Sequence, residues 1–120
     1  MALGLSAAQA NSIVDGLDAT YIKLHTADPG AAGATAAATE TTRKLIALAA
    51  ASGGSAVTTA DITWTSIAGS QDATHFSLWS AATAGTFLFS GTITADPYTA
   101  GNTFTIASGD LTVAVSTVAA

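Results

Sequence analysis

The stretch THFSLWSAATAGTFLFSGTIT, residues 74–94, decides how this chain can fold. It holds Trp79 and three of the four phenylalanines, Phe76, Phe87 and Phe89. Two runs of alternating character flank the small-residue stretch Ser80 to Gly85, which is the pattern of a β-hairpin. Side chains alternate across a strand, so Phe76 and Leu78 are expected on one face with His75, Ser77 and Trp79 on the other. By the same rule Phe87 and Phe89 share a face and Leu88 takes the opposite one. Large aromatic side chains bury roughly 150–250 Å² each, so a chain otherwise dominated by Ala and Thr must draw much of its core from here.

Further strands are legible on both sides of the hairpin. Tyr21 to Thr26, YIKLHT, sets Ile22 and Leu24 against Tyr21, Lys23 and His25, and runs into Asp28-Pro29-Gly30, a turn by its proline and glycine. Asp61 to Ile67, DITWTSI, places Ile62, Trp64 and Ser66 on one face and Thr63, Thr65 and Ile67 on the other. Downstream, Asp96-Pro97 and Gly101-Asn102 bracket a loop, Phe104 and Ile106 face together, and Ser108-Gly109-Asp110 turns the chain into the alternation of Leu111, Val113 and Val115. The expected core is Trp64, Phe76, Leu78, Phe87, Phe89, Phe104, Leu111 and Val113. Short strands punctuated by Gly, Pro and Asp turns predict an all-β fold, an antiparallel β-sandwich or jelly-roll-like domain that takes in residues 1–120 as a single unit.

Three segments stand apart from that pattern. Residues 6–18, SAAQANSIVDGLD, predict a short N-terminal helix: Ser6 can cap it, Gln9 follows at capping-box spacing, and Ala10, Ile13, Val14 and Leu17 share a face. Residues 31–42 are Ala, Gly and Thr with one Glu, and read as a surface loop or arm without a side chain to anchor it to its own domain. Residues 43–51, RKLIALAAA, suit a helix by propensity and a strand by position; strand is favoured because a β-rich domain offers partners.

Composition excludes several function classes. Only 9% of residues are charged, against about 25% in ordinary domains, and Lys23, Arg43 and Lys44 are the only Lys and Arg, giving a net charge of −5. Nucleic acid is not an expected partner, since phosphate binding needs clustered cations. The start lacks a basic region followed by an apolar run, and no apolar stretch is long enough to span a bilayer, so neither a signal peptide nor a membrane partner is expected. A surface so poor in charge favours association, and a homo-oligomer is expected.

Chemistry is as sparse as charge. There is no Cys, and His25 and His75 are the only histidines, short of the three ligands a zinc hydrolase requires. A Ser-His-Asp set can be composed from Asp72 and His75, but no G-x-S-x-G elbow supports it. The glycines lack the lysine of a phosphate loop. Trp64 and Trp79 suit core or interface packing better than a sugar platform. The expectation is a protein that is not an enzyme, with no catalytic residue, cofactor or metal.

The segments YIKLHTADPGAAG, ITWTS, ATHFSLWSAATAGTFLFSGTI and GNTFTIASGDLTVAV together resemble small virion structural proteins of tailed bacteriophages, especially those of actinobacterial hosts. The resemblance implies a capsid decoration or minor capsid protein that binds the major capsid protein on the head surface as an oligomer, or alternatively a minor tail or tail fibre component. In either case the arm and its neighbours, Ala31, Ala34, Thr35, Thr39, Arg43 and Lys44, are the candidate assembly contacts.

Overall fold

The computed structural model of the chain describes residues 6–114, and for residues 94–96 the backbone alone. Val115, expected to continue the last alternation, lies outside the described residues. The described residues form one helix, α1 (Ala7–Asp15), and eight strands: β1 (Tyr21–His25), β2 (Lys44–Leu45), β3 (Ser55–Val57), β4 (Ile62–Trp64), β5 (Gln71–Trp79), β6 (Phe87–Tyr98), β7 (Phe104–Ile106) and β8 (Thr112–Ala114). Strands β2, β1, β5 and β6 make one sheet in that order, while β3 pairs with β8 and β4 with β7. All these pairings are antiparallel, and the all-β fold with a short N-terminal helix is as the pattern predicts.

The helix starts where the cap demands. Ser6 is extended and its Oγ accepts the Gln9 N–H at 3.2 Å, satisfying a donor with no partner in the first turn. Ala10 and Val14 are buried, and Leu17 follows past the end; Ile13 is 41% exposed. A nine-residue helix buries only a narrow stripe, and Ile13 sits about 60° around the axis from Ala10. The helix is docked through polar side chains as well: Asn11 Oδ1 accepts the Gly54 N–H at 2.7 Å and Asp15 Oδ1 the Ala51 N–H at 2.8 Å. Just beyond it, Asp18 Oδ1 accepts the Leu48 N–H at 2.8 Å. It is therefore held by its own domain and is not a free contact element.

The hairpin departs from simple alternation at two places, between Ala73 and His75 and, nearer the tip, between Leu78 and Trp79. Leu78 pairs with Phe89, but Trp79 pairs with Phe87, so Leu88 is an extra residue on β6, a β-bulge. The inserted residue turns Phe87 and Phe89 to opposite faces. Phe89 lies 6.2 Å from Phe76 on the core side, and Phe87 lies 5.5 Å from Trp79 on the other. Both remain partly exposed, whereas Trp64, Phe76, Leu78, Phe104, Leu111 and Val113 are buried as expected. Gly91 sits against Phe76, where a Cβ would meet the ring at 2.7 Å.

Three further expectations are corrected. Strand β4 ends at Trp64; Ser66 takes a positive φ of 50° and redirects Ile67 inward, where it is 1% exposed, instead of onto the face opposite Trp64. Asp96-Pro97 does not open a loop, because β6 continues to Tyr98 with Pro97 opposite Asp72. Proline is tolerated there because β6 is an edge strand and needs no outward donor. The strand expected over 43–51 is a two-residue ladder followed by an extended run, held by Ile46 N–H to Thr20 O and Ala49 N–H to Val57 O, both 2.9 Å.

Phe76 and Phe89 should answer truncation unequally. Phe76→Ala removes a side chain with no exposure and should cost about 3–5 kcal/mol in urea unfolding. Phe89→Ala should cost clearly less; equal losses would show that Phe89 is as deeply buried as its neighbour.

Candidate assembly surface

The bulge gives the outer face of the sheet an apolar row of its own. Register places Leu45, Tyr21, Trp79 and Phe87 side by side across four strands. Arg43 closes over this row, its guanidinium carbon 4.2 Å from the Trp79 ring centroid. One of its nitrogens also donates to the carbonyls of Ala81 at 3.0 Å and Ala84 at 2.6 Å. The hairpin tip, otherwise made of small residues, is thus fixed by a cation from a distant segment. Ser80 tightens it, its Oγ accepting the Thr86 N–H at 2.8 Å.

The arm covers part of the same face and is anchored there, contrary to the expectation. Asp28 Oδ1 accepts the Gly30 N–H at 2.9 Å, making the turn that starts it. Gly33 then packs on Phe87, where a Cβ would sit 2.4 Å from the ring, and its φ of 69° suits glycine. Thr26 N–H to Ala36 O and Ala38 N–H to Leu24 O, at 3.0 and 3.1 Å, zip the end of the arm onto β1. Past the zip, Gln71 Oε1 accepts the Thr39 N–H at 2.7 Å.

Beneath the arm lies a buried polar chain. His25 has no exposure; its Nδ1 is 2.9 Å from Thr35 O and its Nε2 2.7 Å from Ser77 Oγ. A carbonyl can only accept, so Nδ1 carries the proton and Nε2 accepts from the Ser77 hydroxyl. Trp79 Nε1–H in turn donates to Ser77 Oγ at 2.7 Å. Burial holds the His25 pKa below its ordinary value, with Lys23 and His75 adding repulsion against hydrogen bonding from the Thr35 backbone.

Glu40, the chain's one glutamate, pins the far end of the arm. Its Oε1 accepts the Ala68 N–H at 3.0 Å and its Oε2 the Thr42 N–H at 3.2 Å, while Trp64 Nε1–H donates to Thr42 O at 2.9 Å. Burial alone would raise the Glu40 pKa, but the Ala68 and Thr42 hydrogen bonds and nearby Lys44 carry it below the usual range.

Of the candidate contacts, Ala31, Ala34, Thr35 and Thr39 are exposed, and Lys44 is half-buried on β2. Arg43 is spent on the hairpin. Sequence reading missed the anchoring because backbone atoms of Thr35, Ala36 and Ala38 perform it. An open cleft of about 320 Å³ lined by Pro97, Tyr98, Asn102, Phe104 and neighbouring threonines holds no carboxylate, histidine or lysine. Among the described residues no group of three or more His, Asp or Glu could hold a metal ion, and no helix is long and apolar enough to cross a membrane.

Residues 6–114 match the podophage GP4 fiber I protein gp80 family, so every strand and the helix fall within the match, and the chain belongs to that family. It is a phage virion structural protein. No curated protein matches the chain.

The depressed Glu40 pKa makes a pH prediction. A carboxylate with a lowered folded pKa contributes stability above its unfolded value, and that stability is lost as pH falls through the folded value. Wild type should therefore lose more melting temperature than Glu40→Gln between about pH 6 and pH 3.5. Parallel losses in thermal scans would remove Glu40 from the account.

Proposed function

We propose that the chain is a component of the phage tail fibre, working by assembly with virion proteins and with its own copies, without catalysis, cofactor or metal. The observation that carries this reading is the family match over residues 6–114, whose description is a fibre protein. Head decoration, with the major capsid protein as partner, has no comparable support. The surface suits assembly. Strand β6 forms one edge of the main sheet and carries no charge from Phe87 to Ala95, whereas edges meant to stay single are commonly guarded by lysine. Leu88 on β6 and Leu45 on the opposite edge strand are 42% and 59% exposed. We assign β6 to pairing between copies, and the exposed arm residues Ala31, Ala34, Thr35 and Thr39, with Lys44, to neighbouring fibre proteins. With three Lys and Arg against eight Asp and Glu, nucleic acid and membrane are not partners in this reading.

Immunogold labelling of purified virions with quantitative mass spectrometry tests it. Label at the tail, at a copy number that is a small multiple of the fibre count, is expected. Label spread over the head at hundreds of copies would overturn the fibre reading.

A further inference from the structure

The buried chain Trp79–Ser77–His25–Thr35 joins the sheet to the arm through a group that can change charge. Each link has a direction: the indole N–H donates to Ser77, Ser77 to His25 Nε2, and His25 Nδ1–H to the Thr35 carbonyl. These directions hold only with a neutral imidazole. Adding a proton to Nε2 makes the Ser77 hydroxyl give up its donation to His25 and accept from both the imidazole and the indole, and it buries a cation. The backbone of Thr35 and Ala36 offsets this in part, but no carboxylate pairs with the ring. Lys23 lies on the same face of β1, His75 sits directly opposite on β5, and the arm offers only Asp28, which is exposed and bonded to its own turn. Glu40 serves Ala68 and Thr42 at the far end of the arm.

We propose that His25 is an acid-operated latch: when it takes a proton, the arm segment 29–35 lifts from the outer face of the sheet while its zipped end, 36–38, stays on β1. The strain has one cheap outlet. His25 is held by five consecutive residue pairs between β1 and β5, whereas among the described residues segment 29–35 has one hydrogen bond to the sheet, at the Thr35 carbonyl, beside Gly33 on Phe87 and a buried Pro29. Its ends are already bent for a hinge, with positive φ at Gly30 and Ala36. Lifting hydrates the imidazolium and uncovers Phe87 further, so acid enlarges an aromatic surface that is only partly exposed at neutral pH.

The sign follows from linkage. A histidine whose pKa is depressed when covered stabilises the closed arm above the ordinary value of 6.5, and that contribution is lost as pH falls through the depressed value. The test is hydrogen–deuterium exchange of the full chain across about pH 7.5 to 4.5, corrected for intrinsic rates, beside the imidazole ¹⁵N titration. From about pH 6.5 down to the covered pKa, exchange of segment 29–35 should rise by up to about tenfold per pH unit, levelling off where His25 titrates. The rise should persist in His75→Gln and vanish in His25→Gln. A flat exchange profile, a rise that survives His25→Gln or disappears in His75→Gln, or a His25 titration apart from the point where the rise levels off would each overturn the latch. Should His25→Gln fail to fold, the wild-type titration and His75→Gln decide alone.

Discussion

One extra residue in one strand organises this protein. With Leu88 inserted opposite the Leu78–Trp79 step, β6 changes the parity of its side chains partway along, so two phenylalanines spaced for one face serve two. Phe89 extends the core beside Phe76, and Phe87 joins Trp79, Tyr21 and Leu45 on the outer face. A four-stranded sheet with one apolar face needs a single cover. This sheet has two faces to cover, and the short helix, the two ribbons and the arm are the material available.

The cover is attached largely through backbone. Asp15, Asp18, Asp28, Glu40 and Asp61 each accept a main-chain N–H, which is five of the chain's eight acids and explains why a sequence so poor in charge spends its carboxylates away from ion pairs. Segments of Ala, Gly and Thr offer little to pack, yet their N–H groups need partners once they leave water. Short acidic and amide side chains on α1, on the arm and before β4 meet that need. Among the described residues no buried polar side-chain atom lacks a partner.

This explains what the sequence disclosed and what it hid. Strand β1, the Ser6 cap, the Asp28-Pro29-Gly30 turn and the β4, β7 and β8 faces follow from residue type and period, and were legible. The bulge was not, because an inserted Leu looks like any strand residue and only the partner register reveals it. Ile67 was misassigned for a related reason: the positive φ at Ser66 breaks a period that composition continues. The arm was misread because its anchors are carbonyls and amides, which every residue has. Arg43 was recognisable as one of three cations, but its seat on Trp79, thirty-six positions away, required the fold. Virion membership was visible in the strand and turn motifs, which left head decoration and tail fibre both open, and the family match is to a fibre protein family.

The central claim is that Phe87 and Phe89 lie on opposite faces of the sheet. Aromatic NOE measurements on isotope-labelled protein test this most directly. The account predicts cross-peaks from the Phe87 ring to Gly33 and Trp79, and from the Phe89 ring to Phe76, with no interchange between the sets. Contacts of both rings with Phe76, and none from Phe87 to Gly33, would contradict it.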